Sequence, residues 1–153
     1  MLESTDNRVI DCSIQEAFDY LDDPKNHKSF TPNLVRSQLV DRLDDGRKIV
    51  DYRYSIFRIE FEGSLEEVER NEPYEIAFDM LGDMTGEIVI ELSEEEDGTE
   101  VRYTGRYDLY ANGRKDIITK SVGRLMQPLA QRYNDRVLRR TMENLKSNLE
   151  NRS

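Results

Sequence analysis

His27 is the only side chain in the sequence whose ordinary pKa, about 6.5, suits a general base near neutral pH. It stands in "PKNHKSF" between Lys25 and Lys28, with Asp23 four residues upstream as the one carboxylate at helical spacing. Two readings follow: an acid/base group at the mouth of a site, or a solvated histidine on a lid. Isolation between two lysines favours the second. Cys12 is the only cysteine, so it makes no internal disulfide. No His or Lys neighbours it in sequence to lower its pKa, and it reads as a small buried apolar residue rather than a nucleophile. One His and one distant Cys cannot supply the common zinc sets, and the acidic stretches lack the spaced loop of an EF-hand. "GRLMQPLAQRY" has neither the glycine spacing nor the Lys-Ser/Thr ending of a phosphate loop, and no G-x-S-x-G elbow occurs. Neither a metal nor a cofactor is expected.

The tyrosines remain, eight in all, and what they can do depends on the elements that place them. Ser13 and Glu16 form an S-x-x-E capping box ahead of the stripe Ile14, Ala17, Phe18, Leu21, which predicts a first helix. Pro24 ends it, and residues 25 to 30 form one more short turn before Pro32. From Leu34 the apolar period becomes two. "DDGR", "NEPY", "GDMTG" and "EDGT" cut the segment into runs at about 34–43, 47–57, 59–70, 74–81, 86–95 and 99–110. A short strand at about 6–11 makes seven, and tight turns between successive runs imply an antiparallel meander. Alternation groups Tyr52, Tyr54 and Ile56 on one inward set, with Ile76, Phe78 and Met80, then Ile88, Ile90 and Leu92, then Val101, Tyr103, Gly105, Tyr107 and Leu109. A segment from about 115 to 149 has helical period, with one stripe at Ile118, Val122, Leu125, Met126, Leu129 and Tyr133. Pro128 predicts a kink within it.

An antiparallel sheet with one apolar face must cover that face, and the terminal helix is the only element long enough. The expected architecture is α+β: a seven-stranded, curled antiparallel sheet around a long kinked C-terminal helix, with two short helices after the first strand, as one domain over residues 1–153. Curling leaves two outcomes, a filled core or a pocket. Inward tyrosines favour the pocket, because a buried phenol needs a partner that a wet or liganded cavity supplies. Its expected lining is Tyr52, Tyr54, Phe78, Met80, Tyr103, Tyr107, Met126, Leu129 and Tyr133, with His27 and Phe30 on a lid.

The order of strand, capped helix "SIQEAFDYLDD", second helix ending at "SFTP", six-strand meander and terminal helix closing on "MENLKSNLE" resembles the SRPBCC superfamily. That superfamily gathers START-like, polyketide cyclase/dehydrase and coenzyme-Q-binding-like proteins, and the resemblance runs over about residues 5 to 150. It implies a helix-grip fold with an internal cavity for lipids, polyketides, isoprenoids or other apolar molecules, and no single reaction. Phe30 stands where many members carry a tryptophan, and this chain has none. The inward sets also offer tyrosines and aliphatics in place of the polar acid/base groups of cyclase-type members. Binding or transport of a small apolar molecule is therefore the leading expectation. The alternatives are a cyclase or dehydratase using tyrosines with His27, and a noncatalytic interaction module acting through the terminal helix.

A net charge of −10 repels nucleic acid phosphates and anionic lipid surfaces, so neither is an expected partner. No apolar run approaches the roughly 20 residues of a spanning helix, and no leader opens the chain, so a cytoplasmic protein without membrane insertion is expected. The acidity reads as a solvated surface, with adaptation to a salty cytoplasm as the alternative. Arg132, Arg136, Arg139 and Arg140 share a helical face that reads as solvated, a site for an acidic partner being the other reading. A displaced stripe, Leu138, Met142, Leu145 and Leu149, packs either on the chain's own sheet or on a second copy as a homodimer contact.

Overall fold

The structure, a computed structural model, describes residues 1–56, 58–109 and 123–152, with side chains from 128 onward in the last segment. Its elements in chain order are β1 (Leu2–Ile10), α1 (Ile14–Asp22), α2 (Pro24–Phe30), β2 (Leu34–Arg42), β3 (Lys48–Ile56), β4 (Ile59–Asn71), β5 (Glu75–Gly82), β6 (Met84–Glu95), β7 (Gly98–Leu109) and α3 (Gly123–Glu150). The seven strands form one antiparallel sheet in the order β1-β7-β6-β5-β4-β3-β2. It curls so that its inner face holds α3, the helix-grip arrangement. Strands β1 and β2 are the two edges, and α1 with α2 carries the chain from one edge to the other.

Local chemistry explains the boundaries. The Ser13 hydroxyl accepts from the Glu16 amide at 3.1 Å and donates to the Glu16 carboxylate, which fixes the start of α1. Asp23 accepts from the Lys25 amide at 3.0 Å and Pro24 occupies the first turn of α2. Pro24 thus opens one helix as it closes another, since its missing N–H falls where no intrahelical acceptor exists. The "DDGR" turn places Gly46 at φ +89°, a left-handed conformation that costs glycine nothing. Residues 115–122 of the expected terminal helix, with Ile118 and Val122 of its first stripe, lie outside the described residues; α3 is helical through Pro128.

The inner face follows the alternation. Val50 and Tyr52 on β3, Phe61 and Leu65 on β4, Ile76, Phe78 and Met80 on β5, and Ile88, Ile90 and Leu92 on β6 are all buried. Helix α1 adds Ala17, Phe18, Tyr20 and Leu21. Leu138, Met142, Leu145 and Leu149 of α3 are 7% exposed or less and belong to the same cluster. Of the two readings of that stripe, packing on the chain's own sheet is the one these four side chains show. The arginines at 132, 136, 139 and 140 lie on the exposed side of the helix.

One end of this interior contains charge. The Lys48 side chain is fully buried, and its ammonium lies 2.6 Å from Glu67 and 2.7 Å from Asp22. Arg70 reaches Asp22 at 2.6 Å and Glu67 at 3.1 Å. Burial raises the Asp22 pKa, but the Arg70 and Lys48 hydrogen bonds outweigh it and hold the carboxyl at about 2. Lys48 sits two residues before Val50 on the inner face. In the β3–β4 ladder Ile49 faces Glu66, which brings Lys48 beside Glu67. The cluster ties α1 to β3 and β4. Among the described residues, no helix is long and apolar enough to cross a membrane.

Candidate functional site: a cavity between the terminal helix and the sheet

At the opposite end of the inner face the N-terminal half of α3 is seated on β1 and leaves a gap over the strands beyond it. The space between them is a cavity of about 490 Å³. Its walls are strand residues of the inner face, including Ile56, Phe61, Met80, Met84 and Ile88, closed on the far side by Leu129, Tyr133, Val137 and Leu138 of α3. The turn Thr31–Asn33 after α2 contributes a rim. Leu129 is 54% exposed and Ile59 is 42% exposed while both line the cavity, which marks where it meets solvent.

Six of the nine lining residues named from the sequence meet here: Tyr54, Met80, Tyr103, Tyr107, Leu129 and Tyr133. Tyr52 and Phe78 do not line this space. They border a void of about 30 Å³ behind it, which they share with His27 and Phe30. The Tyr52 hydroxyl is committed to backbone, donating to the Leu81 carbonyl at 3.0 Å and accepting from the Met84 amide at 3.2 Å. It reaches them because residue 63 is glycine; a Cβ there would stand 2.6 Å from the hydroxyl. Phe78 lies under the Lys48 ammonium, 5.0 Å from ring centre to nitrogen, at the charged end. The Met126 side chain lies outside the described residues.

His27 is not a solvated surface group. Its Nε2 donates to the Leu21 carbonyl at 2.8 Å, and its Nδ1 accepts from the Ser37 hydroxyl at 3.3 Å. Burial pushes its pKa below the ordinary histidine value, and the Leu21 carbonyl offsets only part of that. Phe30 is 4% exposed and packs edge-on against His27 and tilted against Tyr20, each at 5.8 Å between ring centres. Both residues belong to the packed base of α2, beside the cavity rather than across its mouth.

Polar groups that sequence reasoning did not single out complete the wall. Asn134 on α3 accepts from the Tyr107 hydroxyl and donates to Ser4 of β1 at 2.7 Å. Ser4 in turn donates to Asp135, whose carboxylate also accepts from Gln131 at 2.9 Å. Asn33 donates to the Tyr133 hydroxyl at 2.8 Å across the rim. Ser4 and Asn134 carry no periodic signal that separates them from surface polar residues. Only the pairing of β1 with β7 and the seat of α3 on β1 bring them to Tyr107.

No Lys, Arg, His, Asp or Glu lines the cavity among the described residues. Burial pushes the Tyr54 phenol up to about 12. Tyr103 and Tyr107 are raised further, by burial first and then by neighbouring phenols, Tyr54 among them. At neutral pH these are uncharged hydroxyls, fit to donate a hydrogen bond and poorly suited to give up a proton. Among the described residues, no cluster of three or more His, Cys, Asp or Glu could hold a metal ion.

The same architecture recurs in solved structures. A START superfamily protein from Mycobacterium smegmatis superposes with a TM-score of 0.77 at 12% identity, covering 99% of each chain. The Zhui aromatase/cyclase from Streptomyces sp. R1128 gives 0.77 at 11% identity over 98% of this chain and 94% of that one. A protein from Thermus thermophilus gives 0.72 at 20% identity over 94% and 96%. At these identities the likeness establishes the fold. No curated protein matches the chain. The family model for polyketide cyclase / dehydrase and lipid transport proteins matches residues 1–150, and the chain therefore belongs to that family.

Proposed function

We propose that the protein binds or carries a small, largely apolar molecule of lipid, isoprenoid or polyketide type in the cavity between α3 and the sheet. The observation that supports this is the cavity itself: about 490 Å³ of space walled by apolar and aromatic side chains in an otherwise filled interior. Protein interiors close-pack, so a hollow of this size leaves many dispersion contacts unmade unless a guest supplies them. The volume falls within the range of small-molecule sites.

The lining supports binding over catalysis. Proton transfer is most effective when the group's pKa lies near the working pH, and the cavity phenols are raised away from it. His27, the natural base, is engaged with Leu21 and Ser37 beside the small void. The START-like and aromatase/cyclase neighbours share the fold, and the reaction of the latter is not carried over with it.

Native mass spectrometry of protein purified from its own cells tests the reading. A co-purified molecule of a few hundred daltons is expected, displaced on adding an apolar fluorescent probe. Ala130→Phe, which fills the cavity from α3, is expected to remove both the molecule and the probe signal while circular dichroism stays unchanged. Protein that carries no molecule and takes up no apolar probe would end the proposal.

A further inference from the structure

The exposed side of α3 carries charge that the fold leaves unmatched. Arg132, Arg136, Arg139 and Arg140 stand there at i, i+4, i+7 and i+8. None of the four guanidinium groups makes an ion pair or hydrogen bond with a described residue. Elsewhere Arg8, Arg47, Arg53, Arg70 and Arg106 each reach a carboxylate. In a chain with 32 acids against 22 bases, partners for four more cations are in ample supply. The acids nearest in sequence do not provide them. Asp135 accepts from Ser4 and Gln131 instead, and Glu143 pairs with none of the four. The imbalance runs along the sequence as well: residues 110 to 142 hold eight bases and two acids, Asp116 and Asp135. Asp116 alone cannot offset four charges, so the stripe stays basic wherever that residue stands.

The spacing decides what the stripe can meet. All four cations are arginines, whose planar fork favours two-point contact with a carboxylate or phosphate. Arg132, Arg136 and Arg140 recur every four residues, a rise of about 6 Å at about 1.5 Å per residue. Carboxylates four residues apart on a facing helix repeat at the same interval. The stripe is also short, about 12 Å from Arg132 to Arg140 at that rise. Glu143 follows within the next turn, and the rest of the chain holds the acidic excess. Duplex nucleic acid, with a charge about every 1.7 Å of its length, would run past the stripe into that excess. A broad anionic bilayer meets the same repulsion. A helix whose acids are confined to one face does not.

We propose that the exposed side of α3 is a docking surface for an acidic α-helix of a partner protein, recognised through Arg132, Arg136, Arg139 and Arg140. The inference does not depend on what the cavity holds. Helix α3 then has two tasks, with Val137 and Leu138 closing the cavity and the arginines meeting a protein outside it.

Two synthetic helical peptides of identical composition test it by fluorescence anisotropy at low ionic strength, where exposed pairs are least screened. One sets its glutamates four residues apart on a single face, and the other distributes them around the helix. The single-face peptide is expected to bind about tenfold more tightly, as two or three exposed ion pairs allow. Arg136→Glu/Arg139→Glu is expected to weaken it by more than about tenfold, through two lost pairs and two like charges. Arg136→Gln/Arg139→Gln, which adds no charge, is expected to give a smaller loss in the same direction. Arg36→Glu/Arg102→Glu makes the same change in total charge from exposed positions on β2 and β7, and is expected to leave binding within about twofold. The arginines of the stripe have no partner to lose, so their variants are expected to keep the wild-type melting temperature. Equal binding of the two peptides, no binding of either, or equal losses in the stripe and control variants would overturn the docking surface. Duplex DNA or phosphatidylglycerol vesicles that bind more tightly than the single-face peptide, with the same dependence on the arginines, would overturn the acidic helix as its occupant.

Discussion

The two ends of the inner face are built from the same alternating strands but solve the burial problem in opposite ways. At one end α1, the C-terminal half of α3 and the strand side chains interlock, and the charges trapped there are matched, Lys48 and Arg70 against Asp22 and Glu67. At the other end a cavity remains between α3 and the sheet, and no charged side chain of a described residue lines it. The difference teaches where stability resides. Packing and ion pairing at the filled end can hold the fold, which leaves the other end free to stay hollow.

The sharpest way to break that comparison is Lys48→Met. Removing the ammonium leaves Glu67 buried with only Arg70 against it, and a loss of about 3–5 kcal/mol is expected in urea unfolding. Adding Glu67→Leu should restore most of the loss, because Asp22 and Arg70 still pair. If both variants were equally damaged, the cluster would not be acting as a matched set.

Truncation at the two ends sharpens the contrast. Met142→Ala, at a fully buried site of the filled end, is expected to cost about 3 kcal/mol by opening a new hole. Met80→Ala only enlarges a cavity that already exists, and about 1–2 kcal/mol is expected, since the transfer loss remains but little packing is broken. Equal costs would mean that the hollow end is packed as tightly as the filled one.

Acid should weaken the charged cluster of the filled end through Asp22. The Asp22 pKa is depressed to about 2 in the folded chain, so its contribution is fully present above the unfolded value of 3.8 and is lost as pH falls toward 2. His27 acts at higher pH. Its folded pKa lies below the unfolded 6.5, so the unfolded chain binds the proton first and stability begins to fall once pH drops below 6.5. His27→Gln is expected to flatten the upper part of the stability profile, and Asp22→Asn the lower part. The smallest effect belongs to the cap of α1: Ser13→Ala should cost about 1 kcal/mol without altering probe binding at the hollow end.

Much of this was legible in the sequence because it is written in short-range periods. The turns at Gly46, Pro73, Gly82 and Gly98 and the period-two runs between them place seven strands within a few residues of where they occur. The capping box and Pro24 place the two short helices. Faces were legible too, which is why Tyr54, Met80, Tyr103 and Tyr107 were brought together correctly. Lys48 and Glu67 were missed although they continue the inward sets of Val50 and Leu65. Alternation alone gives no reason to accept a buried lysine until its partners on β4 and α1 are known. Tyr52 and Phe78 share a face with the cavity residues yet lie at a different depth, under the packed end. His27 read as solvated from its lysine neighbours, whereas the chain folds it against Leu21 and Ser37.

The sequence by itself determined the order of elements, the side of the sheet each residue takes, the absence of a tryptophan or a second cysteine, and an acidic total charge. These depend on neighbours a few positions apart and on simple counts. The tertiary structure decided how far α3 stands from each part of the sheet, and so which tyrosines face open space and which are spent on the protein's own backbone. That distance is set by the summed volumes of side chains from α1, α3 and all seven strands meeting at once, a quantity that no local pattern along the chain contains.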